Sequence, residues 1–210
     1  MNKPRLLDLC CKAGGASTGY DKAGFDVIGV DIEPQPNYPY RFIREDVMLL
    51  DLVGFDCYHA SPPCQAHTMA GQQWRKDGRD YPDIIAPLRE RLKLTGKPYV
   101  IENVPGSPLL NPIVLNGAMF GLKIRRTRLF ETSFEVPFFL LPKEPHSKVR
   151  MGRPPRKDEC ITPVGHFSGV NIVKQIMGFE WMNQEELANA IPWQYTNFIG
   201  KFLMQAVEGR

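Results

Sequence analysis

Short apolar runs separated by turn residues recur along the first two thirds of the chain, and their lengths suit strands better than helices. Residues 5–9, 26–30, 40–43, 55–60 and 99–102 are such runs. Each is close to continuously apolar, the mark of a strand covered on both faces, as in a parallel sheet. Residues 112–115 and 127–132 predict two further strands. Between the runs the period lengthens: a helix is predicted over 17–23 after a glycine pair, and another over 84–93, where Ile84, Ile85, Leu88 and Leu92 share one face. Strand and helix in alternation predict an α/β sheet with helices on both sides. Residues 135–168 break the rhythm with Pro137, Pro142, Pro145, Pro154, Pro155 and Pro163, interleaved with Lys143, Lys148, Arg150, Arg153, Arg156 and Lys157. This reads as an irregular basic insert rather than a sheet layer. Helical pattern resumes from Asn171. Asn183 stands as an N-cap before an acidic first turn, and a last helix is expected over 193–207.

Composition narrows the class. With 210 residues and 43% apolar content, the chain can bury one good core but hardly a second. No apolar run is long enough to cross a bilayer, and no basic-then-apolar leader opens the sequence, so a cytoplasmic protein without membrane contact is expected. The formal charge of +3 permits nucleic-acid binding without requiring it. Five cysteines, Cys10, Cys11, Cys57, Cys64 and Cys160, are odd in number and form no CxxC pair, so neither a metal site nor a disulfide frame is indicated.

Four of the predicted strands end in residues that carry chemistry. The first runs into Asp8-Leu9-Cys10-Cys11-Lys12-Ala13-Gly14-Gly15-Ala16-Ser17-Thr18-Gly19, a strand, a glycine turn and a helix start. Such a turn lets a ligand approach the backbone, and the helix terminus favours an anion; plain strand–helix packing uses the same glycines. Asp31 closes the second strand, placed to bind ribose hydroxyls. The fourth strand leads into Ser61-Pro62-Pro63-Cys64-Gln65, a stiff loop whose cysteine is a nucleophile if cations or a helix terminus lend it thiolate character, and otherwise a structural thiol. Glu102 ends the fifth strand among apolar residues, where desolvation raises its pKa and lets it donate to a ring nitrogen. Its plainer role is to pair with an arginine. Arg126 and Arg128 alternate to one side of a late strand, fit either to hold that carboxyl and a substrate oxygen or to decorate an exposed edge. Asp8, Asp31, Cys64 and Glu102 all lie at strand C-termini, which in a parallel sheet form one rim. Independent decoration does not gather residues that way.

In this order the motifs resemble those of the C5-cytosine DNA methyltransferase family across nearly the whole chain. Asp8 to Gly19 resembles its first motif, Asp31 its acidic ribose ligand, and Glu45-Asp46-Val47 its adenine-contacting segment. Pro63-Cys64-Gln65 resembles the nucleophile motif, Glu102-Asn103-Val104 the carboxylate motif, and Arg126 with Arg128 the paired-arginine motif. Met177-Gly178-Phe179 and Asn189-Ala190-Ile191-Pro192 are similar to its two closing motifs, the last returning to the cofactor. The resemblance implies a Rossmann-like fold that uses S-adenosylmethionine. The implied donor-binding residues are Asp8, Cys10, Lys12, Gly14, Gly15, Asp31, Asp46, Pro63 and Asn189. The implied catalytic set is Cys64 adding to C6 of the base, Glu102 on N3 and the amine, Arg128 on the C2 carbonyl and Arg126 steadying Glu102.

The same resemblance implies duplex DNA as partner, with the target cytosine flipped out, and a monomer. It divides the chain into a catalytic α/β domain at 1–134, a reduced target-recognition insert at 135–168, and closing helices at 169–210. The segment 66–80, with His67, Gln72, Gln73, Trp74, Arg75 and Lys76, is expected to close over the base. Departures keep alternatives open. Cys10 replaces a Phe, Lys12 a Gly, Ile124 a Gln, His67-Thr68 a Phe-Ser and Ala188 a Gly. Lys12 either points to solvent or binds a carboxylate, as in a carboxymethyl-type donor. An RNA cytosine methyltransferase and an inactive DNA-binding relic remain the other readings.

Overall fold

The computed structural model describes residues 2–64, 67, 83–137 and 148–209. Its centre is a seven-stranded sheet of β1 (Arg5–Leu9), β2 (Asp26–Asp31), β3 (Arg41–Arg44), β4 (Cys57–Ala60), β5 (Tyr99–Asn103), β6 (Ile113–Leu115) and β7 (Arg128–Thr132), in the order β3-β2-β1-β4-β5-β7-β6. The first five run parallel, whereas β7 is antiparallel to both β5 and β6. The three strands β2, β1 and β4, with β5 beside them, form the Rossmann-like half that the sequence reading expected. Strand boundaries fall within two residues of those predicted.

Period two along each strand sorts side chains onto two faces. Leu7, Ile28, Tyr58 and Ile101 point to one, where α2 (Ile85–Leu94) lays down Ile85, Leu88 and Leu92. Leu6, Val27, Cys57 and Val100 point to the other, against α1 (Gly15–Lys22) and α5 (Trp193–Glu208). On that second face the next residue along each central strand is Asp8, His59 or Glu102, so a polar row lies between an apolar floor and the strand ends. Helices α1 and α5 pack closely there, Thr196 Oγ1 donating to the Ala16 carbonyl at 2.8 Å.

One predicted strand differs in character. The segment expected as a buried strand at 40–43 forms β3, three of whose four residues are not buried but exposed, because it is the sheet edge with β2 as its one neighbour. The insert is largely irregular among its described residues. It does contribute a two-stranded parallel pair, β8 (Lys148–Val149) with β9 (Glu159–Cys160), and an isolated bridge from Ile161 to Ile124. Ile161 and Phe167 are buried with Val173 and Met177 of α3 (Val170–Met177) and Leu187 of α4 (Gln184–Asn189), which makes a third apolar cluster. Asn183 caps α4 as expected: its side chain accepts from Glu186 N at 3.0 Å, and Glu186 accepts from Asn183 N at 2.7 Å. No helix among the described residues is long and apolar enough to cross a membrane.

Candidate active site

The parallel strands bring Asp8, Asp31, Glu102 and the Cys64 loop to one rim, since β2, β1, β4 and β5 are neighbours in that order. Ser61 N donates to the Leu9 carbonyl at 3.0 Å, extending the β1–β4 pairing into the cysteine loop. Asn103, buried at the end of β5, donates through Nδ2 to the Pro62 carbonyl at 3.0 Å and accepts from Val104 N at 2.9 Å. This side chain holds the cysteine loop against the strand that carries Glu102. It lies inside the Glu-Asn-Val motif, but the sequence reading assigned it no role. His67 N, on the far side of the loop, donates to the Cys64 carbonyl at 2.9 Å. The remainder of the segment expected to close over a base, including Gln72, Gln73, Trp74, Arg75 and Lys76, lies outside the described residues.

Glu102 is 5% exposed, and Arg128 Nε lies 3.0 Å from its Oε1. The N–H is not aimed at Oε1 well enough for a hydrogen bond, so the contact is an ion pair. Burial raises the Glu102 pKa; Arg128, the Ser61 hydroxyl and Arg126 oppose that rise. Cys64 is half-buried, and its thiol is also raised, first by desolvation and then by Glu102, with Arg128 and Arg126 pulling it down. The resting site thus favours a thiol over a thiolate, and the two arginines are the cations that the sequence reading required beside it.

The arginines divide the work differently from the expectation. Arg126 does not steady Glu102 by contact. Its guanidinium is buried and donates to the Pro163 carbonyl at 2.9 Å and the Ala188 carbonyl at 2.7 Å, while Tyr195 OH donates to the Arg126 carbonyl at 2.8 Å. Arg126 therefore clamps the insert and α4 to the sheet, and Arg128 alone pairs with Glu102. Desolvation lowers the Arg126 pKa to about 9. It remains a cation near neutrality and acts on the site through its field.

On the other half of the rim, Asp8 is fully buried, accepts from Ser17 Oγ, and through Ser17 is linked to Tyr38 OH at 2.8 Å. Burial raises its pKa to about 7. The turn after β1 takes left-handed backbone at Cys10, Lys12 and Gly14. Cys10 is half-buried against the α2-side core, and desolvation pushes its thiol up to about 12. Gly15 has no room for a side chain: a Cβ there would lie 2.8 Å from the Ile191 carbonyl oxygen. A Cβ on Gly14 would meet the Tyr38 ring at 3.1 Å in addition to its φ of 86°. Close packing thus demands a glycine at 15 and the left-handed backbone favours one at 14, and the Gly15 contact docks the Asn189-Ala190-Ile191-Pro192 segment onto the turn.

Asp31 is buried and accepts from Lys12 N and Glu33 N, both at 3.1 Å. The Lys12 side chain is half-exposed. Its ammonium lies 3.1 Å from Glu33 and 3.7 Å from Asp31. Asp46 uses Oδ1 to accept from Met48 N at 2.8 Å and so fixes the turn that follows β3. Pro63 is exposed beside Cys64, and Asn189 is exposed with Nδ2 donating to the Glu185 carbonyl at 3.1 Å, which leaves both at the surface. No cluster of three or more metal-ligating side chains occurs among the described residues.

The basic insert is partly engaged with itself. Arg153 makes a bidentate pair with Glu159 at 2.7 and 2.8 Å, and Lys123 donates to the Pro155 and Arg156 carbonyls. Lys148, Arg156 and Lys157 remain exposed.

No protein-family model matches the chain. Its sequence is 34% identical over 119 residues to the type II methyltransferase M.NgoMIV of Neisseria gonorrhoeae, a match covering 50% of this chain and 36% of that protein. It is 32% identical over 121 residues to the type II methyltransferase M1.HphI of Haemophilus parahaemolyticus, covering 47% and 32%. The matched region thus spans about a third of the length of these curated relatives. Among solved structures, the Entamoeba histolytica methyltransferase EhMeth superimposes with a TM-score of 0.67 at 12% identity, covering 98% of this chain and 99% of that one. The Dnmt2 methyltransferase of S. pombe gives 0.65 at 13% identity, covering 97% and 99%. At such identities the structures speak for the fold: a Rossmann-like methyltransferase fold.

Proposed function

We propose that this chain, a relative of the type II methyltransferases built on a Rossmann-like methyltransferase fold, transfers a methyl group from S-adenosylmethionine to C5 of a cytosine in DNA. The observation that carries the reading is the joint placement of Cys64, Glu102 and Arg128 on one rim, with Arg128 Nε 3.0 Å from Glu102 Oε1 and both acting electrostatically on the Cys64 thiol.

The residues on the β1–β2 half of the rim suit the donor. The N-terminus of α1 has no side-chain cap and so offers backbone amides to a carboxylate. Asp31 sits at the end of β2 with acceptor capacity left beyond its two amide contacts. Exposed Ile32 follows as an apolar surface. Asp8, Cys10, Gly14, Gly15, Asp46, Pro63 and Asn189 frame this region in the proposal, most of them by shaping the turns. When bound, the donor supplies a methyl group on a positively charged sulfur. The Lys12 ammonium already faces two carboxylates, which favours the plain methyl donor over one that carries an extra carboxylate.

C5 of cytosine is a poor nucleophile until C6 is saturated. Cys64 supplies that saturation by forming a bond from Sγ to C6, its S–H proton passing to water as it attacks. Glu102 holds N3 and the exocyclic amine and offsets the electron density driven into the ring. Arg128 orients Glu102 and reaches the C2 carbonyl. C5 then takes the methyl group, water removes the C5 proton, and the electron pair of that C–H bond re-forms the C5–C6 double bond as the Sγ–C6 bond breaks and releases Cys64. A duplex cytosine must leave the stack to meet a thiol on this rim. In this reading residues 135–168 act as a small target-recognition insert, whose exposed Lys148, Arg156 and Lys157 suit phosphates rather than base edges.

The test is methyl transfer from labelled donor to duplex DNA and, separately, to tRNA, with nucleoside mass spectrometry of the product. The expected product is 5-methylcytosine in DNA, with Cys64→Ser reduced to background and a covalent complex trapped on 5-fluorocytosine DNA. Methylation confined to tRNA, or on a ring-external nitrogen, overturns the assignment.

A further inference from the structure

His59 sits in the middle of β4 with no exposure, in a run of otherwise apolar residues. A buried imidazole is costly unless both ring nitrogens find partners, and here both do. Nδ1 lies 2.9 Å from Tyr20 OH of α1, and Nε2 lies 2.9 Å from Ser61 Oγ in the cysteine loop. Desolvation lowers the His59 pKa to about 3, so the ring is neutral, with one donor and one acceptor nitrogen. The Ser61 hydroxyl in turn acts on the Glu102 carboxyl, opposing the rise of its pKa as a hydrogen-bond donor does. The chain of contacts runs from the core of α1 to the carboxyl at the rim.

Its direction follows from the end group. Tyr20 OH is fully buried and makes its hydrogen bond to His59. If Nδ1 carried the proton, the phenol would have to accept, and its own O–H would be left without an acceptor among the described residues. The satisfied arrangement has Tyr20 donating to Nδ1, Nε2–H donating to Ser61 Oγ, and the Ser61 hydroxyl hydrogen directed at Glu102.

We propose that Tyr20, His59 and Ser61 form a buried positioning relay that presents a fixed hydroxyl donor to Glu102, holding the carboxyl in one orientation opposite Arg128. The relay rests on the reading of Glu102 as the group that holds the substrate ring. Its three members touch neither substrate nor donor; they act through Glu102. A neutral, desolvated imidazole is suited to this, because it transmits hydrogen-bond polarity without itself gaining a charge near the reacting ring. The other charged or titratable groups that act on Glu102 are Arg128, Arg126, Asp8 and Cys64. Substitutions in the relay leave all four in place.

The relay is read out on Glu102 itself. Difference infrared spectroscopy follows the protonated carboxyl C=O band across pH, assigned by its loss in Glu102→Gln. A hydroxyl donor favours the carboxylate. Ser61→Ala is therefore expected to move the Glu102 midpoint up by about one pH unit, and Ser61→Thr, which keeps the hydroxyl, to restore it. Tyr20→Phe removes the donor to Nδ1, so the imidazole polarises the Ser61 hydroxyl less strongly toward Glu102. It is expected to move the midpoint in the same direction although it lies three contacts from the carboxyl. In parallel, methyl transfer to DNA by Ser61→Ala should lose kcat with little change in KM for DNA. Unshifted midpoints in both Ser61→Ala and Tyr20→Phe overturn the relay, even if the wild type methylates cytosine. Shifted midpoints in a protein that makes no 5-methylcytosine uphold the relay and remove the catalytic reading instead.

Discussion

Asp8 carries a pH dependence of stability that reaches into the neutral range. Its carboxyl is fully buried, with Ser17 Oγ as its donor, and burial raises its pKa from 3.8 to about 7, Asp31 and Glu102 adding to the rise. The folded state therefore binds the Asp8 proton more tightly than the unfolded chain does. Stability from this group is fully present below the unfolded pKa and is lost as pH climbs through the folded one. A rise from 3.8 to about 7, at about 1.4 kcal/mol for each tenfold change in proton affinity, is about 4 kcal/mol in all. Roughly 2–3 kcal/mol of that falls between pH 5 and pH 8. Asp8→Asn keeps an oxygen for Ser17 and cannot ionise. Every other titrating group is common to both proteins, so the difference between wild type and Asp8→Asn isolates this one. Urea unfolding at pH 5, 6.5 and 8, followed by circular dichroism, should show the variant gaining on the wild type by about 2–3 kcal/mol across that range. A constant offset, whatever its sign, would refute the reasoning, since the mutation would then report only packing and hydrogen bonding.

Two further outcomes follow from the geometry. Arg89 of α2 and Glu131 of β7 form a buried bidentate pair at 2.7 and 2.8 Å, and Glu131 also accepts from Leu110 N. Glu131→Gln leaves the guanidinium buried without its counter-charge and should cost about 3–5 kcal/mol in urea unfolding; a loss below about 1 kcal/mol means solvent reaches the pair. Lys12→Gly removes a half-exposed ion pair worth about 0–1 kcal/mol but relieves a left-handed backbone that costs a side-chain-bearing residue about 1–2 kcal/mol. Its stability should therefore stay within about 1 kcal/mol of wild type. A loss above about 2 kcal/mol would show that the Asp31–Lys12–Glu33 contacts hold the turn together.

The architecture was legible because it rests on local pattern. Apolar runs of strand length, broken by glycine and proline, set out seven strands near their observed bounds, and the spacing of Ile85, Leu88 and Leu92 placed α2. Asn183 and Glu186 advertised a helix start that the capping box then made. The rim of Asp8, Asp31, Cys64 and Glu102 was also readable, because strand C-termini in a parallel sheet must share one side. Pattern could not give the reversal of β7 or the exposure of β3, since both depend on which strands become neighbours.

Partnerships at the site were the part that only the tertiary structure decided. Arg126 and Arg128 are two residues apart and equivalent in sequence, yet one clamps Pro163 and Ala188 and the other faces Glu102. The glycine turn reads as a ligand cradle, and only the fold brings Ile191 and Tyr38 against its two glycines. His59 sat unnoticed in an apolar run until α1 brought Tyr20 onto it. Periodicity and motif determine which side chains reach a face or a rim, because each strand or turn enforces them locally. Which of those side chains then touch is a matter of distances between segments far apart in the chain, and those distances exist only once the sheet has assembled and its helices have packed.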